Sequence, residues 1–361
     1  MKLPRPARAL AENPLAAWLL LCCLLVFALV ALGGAVRLSG SGLSMVEWRP
    51  LAGAVPPLSA EAWQLAFEKY RQYPEFQLVN PDMTLAGFRF IFLMEYAHRM
   101  LGRAVALVFL LPFLFFLWRR MLPRALAARL WLVFLLGGLQ GLLGWHMVQS
   151  GLADNPHVSH YRLAMHLALA VALYAYMLRL ALGLRAPPAR APASAPGDDA
   201  ALRASGMAAI AVIFLMMLSG ALVAGTHAGQ AYNTWPKMAG QWLPSQLFAL
   251  RPWWLNFFEN LQTIQFTHRW LAAVALLALG VFALHLHRAG ARAFAGLLLL
   301  LVAAQILLGI ATLLLRVPFA LGLAHQSGAM ILLSAALAAL VSRLPPLAFA
   351  PAPPLKSTAR W

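Results

Sequence analysis

The sequence predicts an all-α integral membrane protein: eight transmembrane helices arranged as two pseudo-symmetric four-helix bundles. Three observations predict it. Apolar residues make up 62% of the 361 positions and charged residues only 11%, more than a water-exposed surface carries. Eight stretches are apolar enough to enter a bilayer. The second half of the chain also repeats the first in register. Together these exclude a cytosolic enzyme, a disordered chain and a nucleic-acid-binding domain.

Crossing about 30 Å of hydrocarbon takes about 20 mostly apolar residues. Windows 15–36, 204–225, 293–315 and 317–342 meet this without a charge, and 130–148 and 163–178 do so with one histidine each. Windows 104–118 and 270–284 are too short to span alone. Each must extend backwards, through Glu95-Tyr-Ala-His-Arg99 or Gln265-Phe-Thr-His-Arg269, which brings ionisable residues into the helix. The first window reads as a span and not as a cleavable signal, because its apolar run is of full length and no small-residue cleavage site ends it. Cys22 and Cys23 are neighbours inside that window, an arrangement that suits neither a disulfide framework nor a metal knuckle.

Between the spans, segment 185–203 is rich in Pro and Ala and reads as a linker separating an N-terminal half, 1–184, from a C-terminal half, 204–361. The loop 37–87 holds an amphipathic stretch, 59–73, expected as a helix lying on the outer face. With eight spans both termini share a side. That side carries 16 Lys and Arg against 3 acids, and the other side 9 against 7. The positive-inside rule makes the termini cytoplasmic, so the net charge of +17 is a topology signal and implies no nucleic acid.

An offset of 187 places Gly33, Val36, Gly42, Trp48, Ala52, Gly53 and Pro57 over Gly220, Val223, Gly229, Trp235, Ala239, Gly240 and Pro244. An offset of 170 places His98-Arg99 over His268-Arg269, one of 165 places Gln140, Leu143 and Gly144 over Gln305, Leu308 and Gly309, and one of 159 places His166 over His325. Each half has an even number of spans, so the repeat is parallel.

His98, His166, His268 and His325 head the even-numbered spans. At about 1.5 Å per residue, His98 lies about 30 Å from Trp118 and His325 about 26 Å from Ser342, which puts the imidazoles at one depth in the outer part of the bilayer. An intramembrane imidazole is expensive and usually functional. Each histidine alone is as well explained by a hydrogen bond to a neighbouring helix. Four at matching depth, paired by a repeat, point to axial ligation of two haems. Directly bound metal is disfavoured, since no acidic or thiol cluster accompanies the imidazoles. Gly102, Ala272 and Gly328 lie nearby and leave room for a flat ring, or simply for helix packing. Glu95 stands three residues before His98, where the second half has Gln265. It reads either as an ion pair with Arg99 or Arg103 or as an acid/base or charge-stabilising group. Arg37, Arg89, Arg162 and Arg251 read as solvated snorkelling arginines before propionate partners. His146, His157, His160, His227, His285 and His287 sit at helix ends or in loops.

The segments GGAVRLSGSGLSMVEWRPLAGAVPP, EYAHRMLGR, GALVAGTHAGQAYNTWPKMAGQWLP, FTHRWLA and LAHQSGA together resemble the haem A synthase family over essentially the whole chain. The resemblance implies that His268 and His325 bind a haem B cofactor, that His98 and His166 ligate the haem O substrate, and that Glu95 takes part in catalysis. The reaction would carry the C8 methyl of haem O by successive hydroxylations to a formyl group, with haem O synthase as supplier, cytochrome oxidase as recipient and a bacterial inner membrane as location. Loop cysteines found in some bacterial members are missing from this sequence, which is similar to the cysteine-free proteobacterial and mitochondrial type. Whether the chain works as a homo-oligomer stays open. The alternative from another class is a di-haem b-type electron-transfer protein linked to quinol, which has no use for the Glu95/Gln265 asymmetry.

Overall fold

The computed structural model describes residues 13–47, 52–153, 156–185 and 196–344. Eleven α-helices are seen among them: α1 (Pro14–Leu38), α2 (Ala60–Arg71), α3 (Leu85–Trp118), α4 (Arg124–Gln149), α5 (His160–Arg185), α6 (Pro196–Gly225), α7 (Ala228–Ala231), α8 (Asn256–Glu259), α9 (Leu261–Arg288), α10 (Arg292–Leu314) and α11 (Phe319–Val341). Eight of these, all but α2, α7 and α8, are long and apolar enough to cross a membrane, so the chain is a multi-pass membrane protein. The two short windows do extend backwards: α3 begins at Leu85 and α9 at Leu261, which brings Glu95, His98, Gln265 and His268 inside helices. Helix α6 starts at Pro196, so the end of the expected linker is helical. Residues 186–195 lie outside the described residues.

Local chemistry sets the ends. Asn13 caps α1 by accepting from the Ala16 amide, with proline following at the first helical position, where its missing N–H costs nothing. Thr84 caps α3, and Asn260 caps α9 by accepting from Gln262 and Thr263. Pro112 lies inside α3 and deprives the Val108 carbonyl of its intrahelical donor. The indole of Trp18 in α1 donates to that carbonyl at 2.8 Å. A freed carbonyl inside a bilayer needs such a partner, so α3 continues unbroken across the proline.

In the first quartet α1 packs against α3 and α5, and α4 against α5; in the second, α6, α9, α10 and α11 pack in a closed ring. Helices α1, α5, α6 and α11 also pack across the two quartets. The Tyr174 and Ser334 hydroxyls meet at 2.7 Å, Gln326 donates to the Val30 carbonyl at 2.7 Å, and Arg37 donates to the Ala224 carbonyl at 2.6 Å. One buried cluster, from Trp18 and Phe113 to Phe282 and Leu340, runs through both.

The amphipathic stretch forms α2, capped by Ser59. Its apolar side rests on protein: Phe67 and Tyr70 are buried against Phe88, Ile91 and Phe92 of α3. Helix α3 supplies this seat because it starts at Leu85, more than three turns ahead of His98, whereas α5, α9 and α11 each start within two turns of theirs.

Candidate functional site

The four histidines occupy the first part of α3, α5, α9 and α11, and each ring rests on a glycine of a neighbouring helix. A Cβ built on Gly33 (α1) would lie 3.0 Å from His98 Cε1, one on Gly144 (α4) 3.0 Å from His166 Cε1, one on Gly220 (α6) 3.4 Å from His268 Cε1, and one on Gly309 (α10) 2.9 Å from His325 Cε1. The contacts at Gly33, Gly144 and Gly309 leave little or no space for a methyl group, whereas that at Gly220 is an ordinary van der Waals distance. The glycines and glutamines in register between the halves thus acquire a reason. Gln140 and Gln305, one helical turn before their glycines, donate to the carbonyls of His166 at 3.0 Å and His325 at 2.6 Å. Both amide nitrogens also lie beside the imidazole Nδ1, at 3.1 and 3.2 Å.

The histidines come together in pairs within each half. His268 and His325 have ring centroids 6.5 Å apart with planes at 77°. Two metal–nitrogen bonds of about 2 Å, plus about 1.1 Å from nitrogen to centroid on each side, require about 6 Å, so the separation is of the size that a shared iron would need. His166 lies near enough to His98 for the two to interact electrostatically. Among the described residues no group of three or more His, Cys, Asp or Glu is placed to hold a metal ion directly. Two neutral-nitrogen donors per half, seated on glycines in an apolar helix ring, suit a porphyrin that supplies the other four ligands. Nothing lies within 4 Å of a Cβ built on Gly102. Gly328 differs from the expected room for a flat ring: a Cβ there would meet the Gln305 side chain, so its small size serves helix packing.

Glu95 is buried and fully partnered. Its Oε1 accepts from Arg99 at 2.5 Å, and its Oε2 accepts from the Ser44 hydroxyl at 2.7 Å and the Met45 amide at 2.8 Å. Arg99 continues to the carbonyls of Met45 at 2.9 Å and Glu47 at 3.2 Å. The second half repeats this clamp in register: Arg269 donates to the carbonyls of Tyr232 at 3.0 Å and Thr234 at 2.9 Å, and to Gln265 Oε1 at 3.0 Å. The Gln265 nitrogen then donates to the carbonyls of Ala228 and Tyr232, at 2.9 and 3.1 Å. The ion pair expected as one reading of Glu95 is therefore formed, with Arg99 as the partner.

Of the arginines expected to be solvated, Arg37 also meets His227 Nε2 at 2.9 Å and Arg162 donates to the His146 carbonyl at 2.7 Å, both half-buried. Arg89, over the Trp63 ring at 5.3 Å, is exposed as expected. Arg251 is exposed.

The family model described as "Cytochrome oxidase assembly protein", COX15-CtaA, matches residues 16–337. The chain belongs to this family. The match takes in all four histidines, both arginine clamps and the glycine seats. Relatives named "Heme A synthase" include one from Nitrosospira multiformis, 50% identical over 330 residues that cover 90% of this chain and 92% of the relative. Others are from Nitrosomonas eutropha, 48% identical with 90% and 92% covered, and Rhodospirillum centenum, 48% identical with 90% and 87% covered.

In this COX15-CtaA member, sequence reasoning missed two features. One is the role of Gly33, Gly144, Gly220 and Gly309, noticed only as repeat matches. The other is Glu75 beside α2, a buried carboxyl whose Oε2 has no hydrogen-bond partner among the described residues. Burial pushes it up to about 7, the nearby Glu95 charge adds to the rise, and a hydrogen bond from Tyr70 acts the other way. The signal was faint: a single acid in a polar loop.

Proposed function

We propose that this protein is a haem A synthase of a bacterial inner membrane, with cytoplasmic termini, that oxidises the C8 methyl of haem O through an alcohol to a formyl group. The observation that carries the reading is a pair of imidazoles in each half, on matched glycine seats, with a carboxylate one helical turn before His98 and a carboxamide one turn before His268. The names of the relatives support the same conclusion. In this reading His268 and His325 hold a resident haem B in the second half, 204–361. His98 and His166 hold the substrate haem O in the first, 1–184.

Bound haem B supplies one-electron redox chemistry at its iron. The chain's own residues supply the rest. The glycines let the helices close on the imidazoles and fix ring height. The apolar helix faces keep bulk water from the methyl edge. Arg99 and Ser44 hold the Glu95 carboxylate in place one helical turn before His98, where in this reading it would serve as a charge-stabilising or acid/base group toward the bound substrate. Gln265, uncharged, gives the second site no such group, which suits a relay haem that is never altered.

The test is expression of the full chain with a haem O source, followed by mass analysis of extracted haems. Haem A or the alcohol is expected. Two fixed haem B groups, with neither exchange nor conversion, would establish the di-haem electron carrier instead.

A further inference from the structure

The two halves also differ at a position that touches a histidine in one of them. Ser219 precedes the glycine seat of His268, and its Oγ lies 2.7 Å from His268 Nδ1. The same Oγ donates its one proton to the Met216 carbonyl at 2.8 Å. An imidazole that gives Nε2 to iron carries its proton on Nδ1, and Ser219 would then accept from that N–H while donating its own proton to the Met216 carbonyl. At the offset that sets Gly220 over Gly33, Ser219 falls on Leu32 and Met216 on Leu29. Nδ1 of His98 is buried and has no hydrogen-bond partner among the described residues. The other histidine of each half is treated alike, by Gln140 and by Gln305, so the difference is confined to one ligand.

We propose that Ser219 is a positioning residue that fixes the His268 tautomer and makes the second-half haem resident, and that Leu32, which gives His98 no such partner, makes the first-half haem exchangeable. A hydrogen bond to the distal nitrogen orients a ligating imidazole and raises its basicity, and loss of such a partner typically costs about 10–100-fold in affinity. Without it the His98 imidazole has no hydrogen bond at Nδ1 to hold its orientation. A substrate haem must leave after reaction and a cofactor haem must not. Opposite choices at one repeated position meet both needs. The inference rests on the haem reading given above.

The test uses the full-length protein purified with its haems, challenged with excess apomyoglobin as scavenger and titrated for reduction potential. Ser219→Ala is expected to speed loss of the slowly released haem about tenfold and to raise its midpoint potential, because a less basic imidazole stabilises ferric iron less. Ser219→Thr, which keeps the hydroxyl, restores both. Leu32→Ser is expected to slow release of the fast component while leaving the slow one unchanged. Unchanged release and potential in Ser219→Ala overturns the proposal. Should that variant not fold, unchanged fast release in Leu32→Ser overturns it. A wild-type preparation that binds no haem refutes the underlying haem reading instead.

Discussion

The arginine clamps at the heads of α3 and α9 are the same device with one charge changed. Arg99 and Arg269 reach carbonyls at matching positions of the repeat, Met45 and Glu47 in one half and Tyr232 and Thr234 in the other. Beneath them, Glu95 faces two donors, the Ser44 hydroxyl and the Met45 amide. Gln265 instead gives its own protons to two carbonyls. The loop that folds over each helix has therefore adapted its polarity to the side chain it covers. Duplication kept the scaffold, the seats and the imidazoles; divergence altered what stands beside them.

The largest effect should come from the ligands themselves. His268→Ala or His325→Ala is expected to abolish the low-spin bis-histidine spectrum of the resident haem, whereas His98→Ala or His166→Ala leaves it in place. Full haem absorbance in both second-half variants would remove the distinction between the halves.

Next comes the charge. Glu95→Gln should keep haem binding yet lower haem A yield about a hundredfold or more, with haem O or the alcohol accumulating in the extract. A normal yield would reduce Glu95 to a clamp like Gln265. The mirror substitution, Gln265→Glu, sets a carboxylate against the carbonyls of Ala228 and Tyr232. It should destabilise the second half by about 1–3 kcal/mol, read as a lower melting temperature in detergent, and no change there would show that the loop polarity is not matched.

Glycine seats sharpen the comparison at smaller scale. A methyl group at Gly33 would stand 3.0 Å from its imidazole and one at Gly220 3.4 Å. Overpacking costs about 1–3 kcal/mol, so Gly33→Ala should perturb its haem spectrum and Gly220→Ala much less. Equal effects would mean that the two seats are not of different tightness.

The smallest effect belongs to Glu75, for which the second half has no acid at the matching offset. Its carboxyl is raised from 4.5 to about 7, so its stabilising contribution is complete below about pH 4.5 and lost as pH rises through about 7. Tyr70 and Glu95 are the titratable groups that act on it. Hydrogen exchange over α2, corrected for its intrinsic base catalysis, should therefore quicken between pH 4.5 and about 7 by an amount on the order of 1 kcal/mol. Glu75→Gln should flatten that dependence, and an unchanged pH profile would release Glu75 from the role.

Apolar length and charge placement were enough to reveal the eight spans, because a bilayer imposes one requirement on every crossing segment. The repeat and the four histidines were also plain, since Gly, Gln and His-Arg in register are not filler. The seat of α2 was not: an amphipathic stretch reads the same whether its apolar side meets lipid or, as here, Phe88 and Phe92. Arg37 and Arg162 were likewise unreadable, because a carbonyl partner on another helix leaves no trace in local sequence.

By itself the sequence determined that this chain crosses the membrane eight times as a duplicated unit bearing two pairs of imidazoles, for hydropathy, periodicity and residue type are properties of the strand of letters. Only the tertiary structure decided which glycine lies under which ring, that Trp18 rescues the carbonyl freed by Pro112, and that His268 Nδ1 meets Ser219 while His98 Nδ1 has no hydrogen-bond partner among the described residues. Those facts depend on helices distant in sequence meeting at a few ångströms, a distance set by packing and not by any neighbour along the chain.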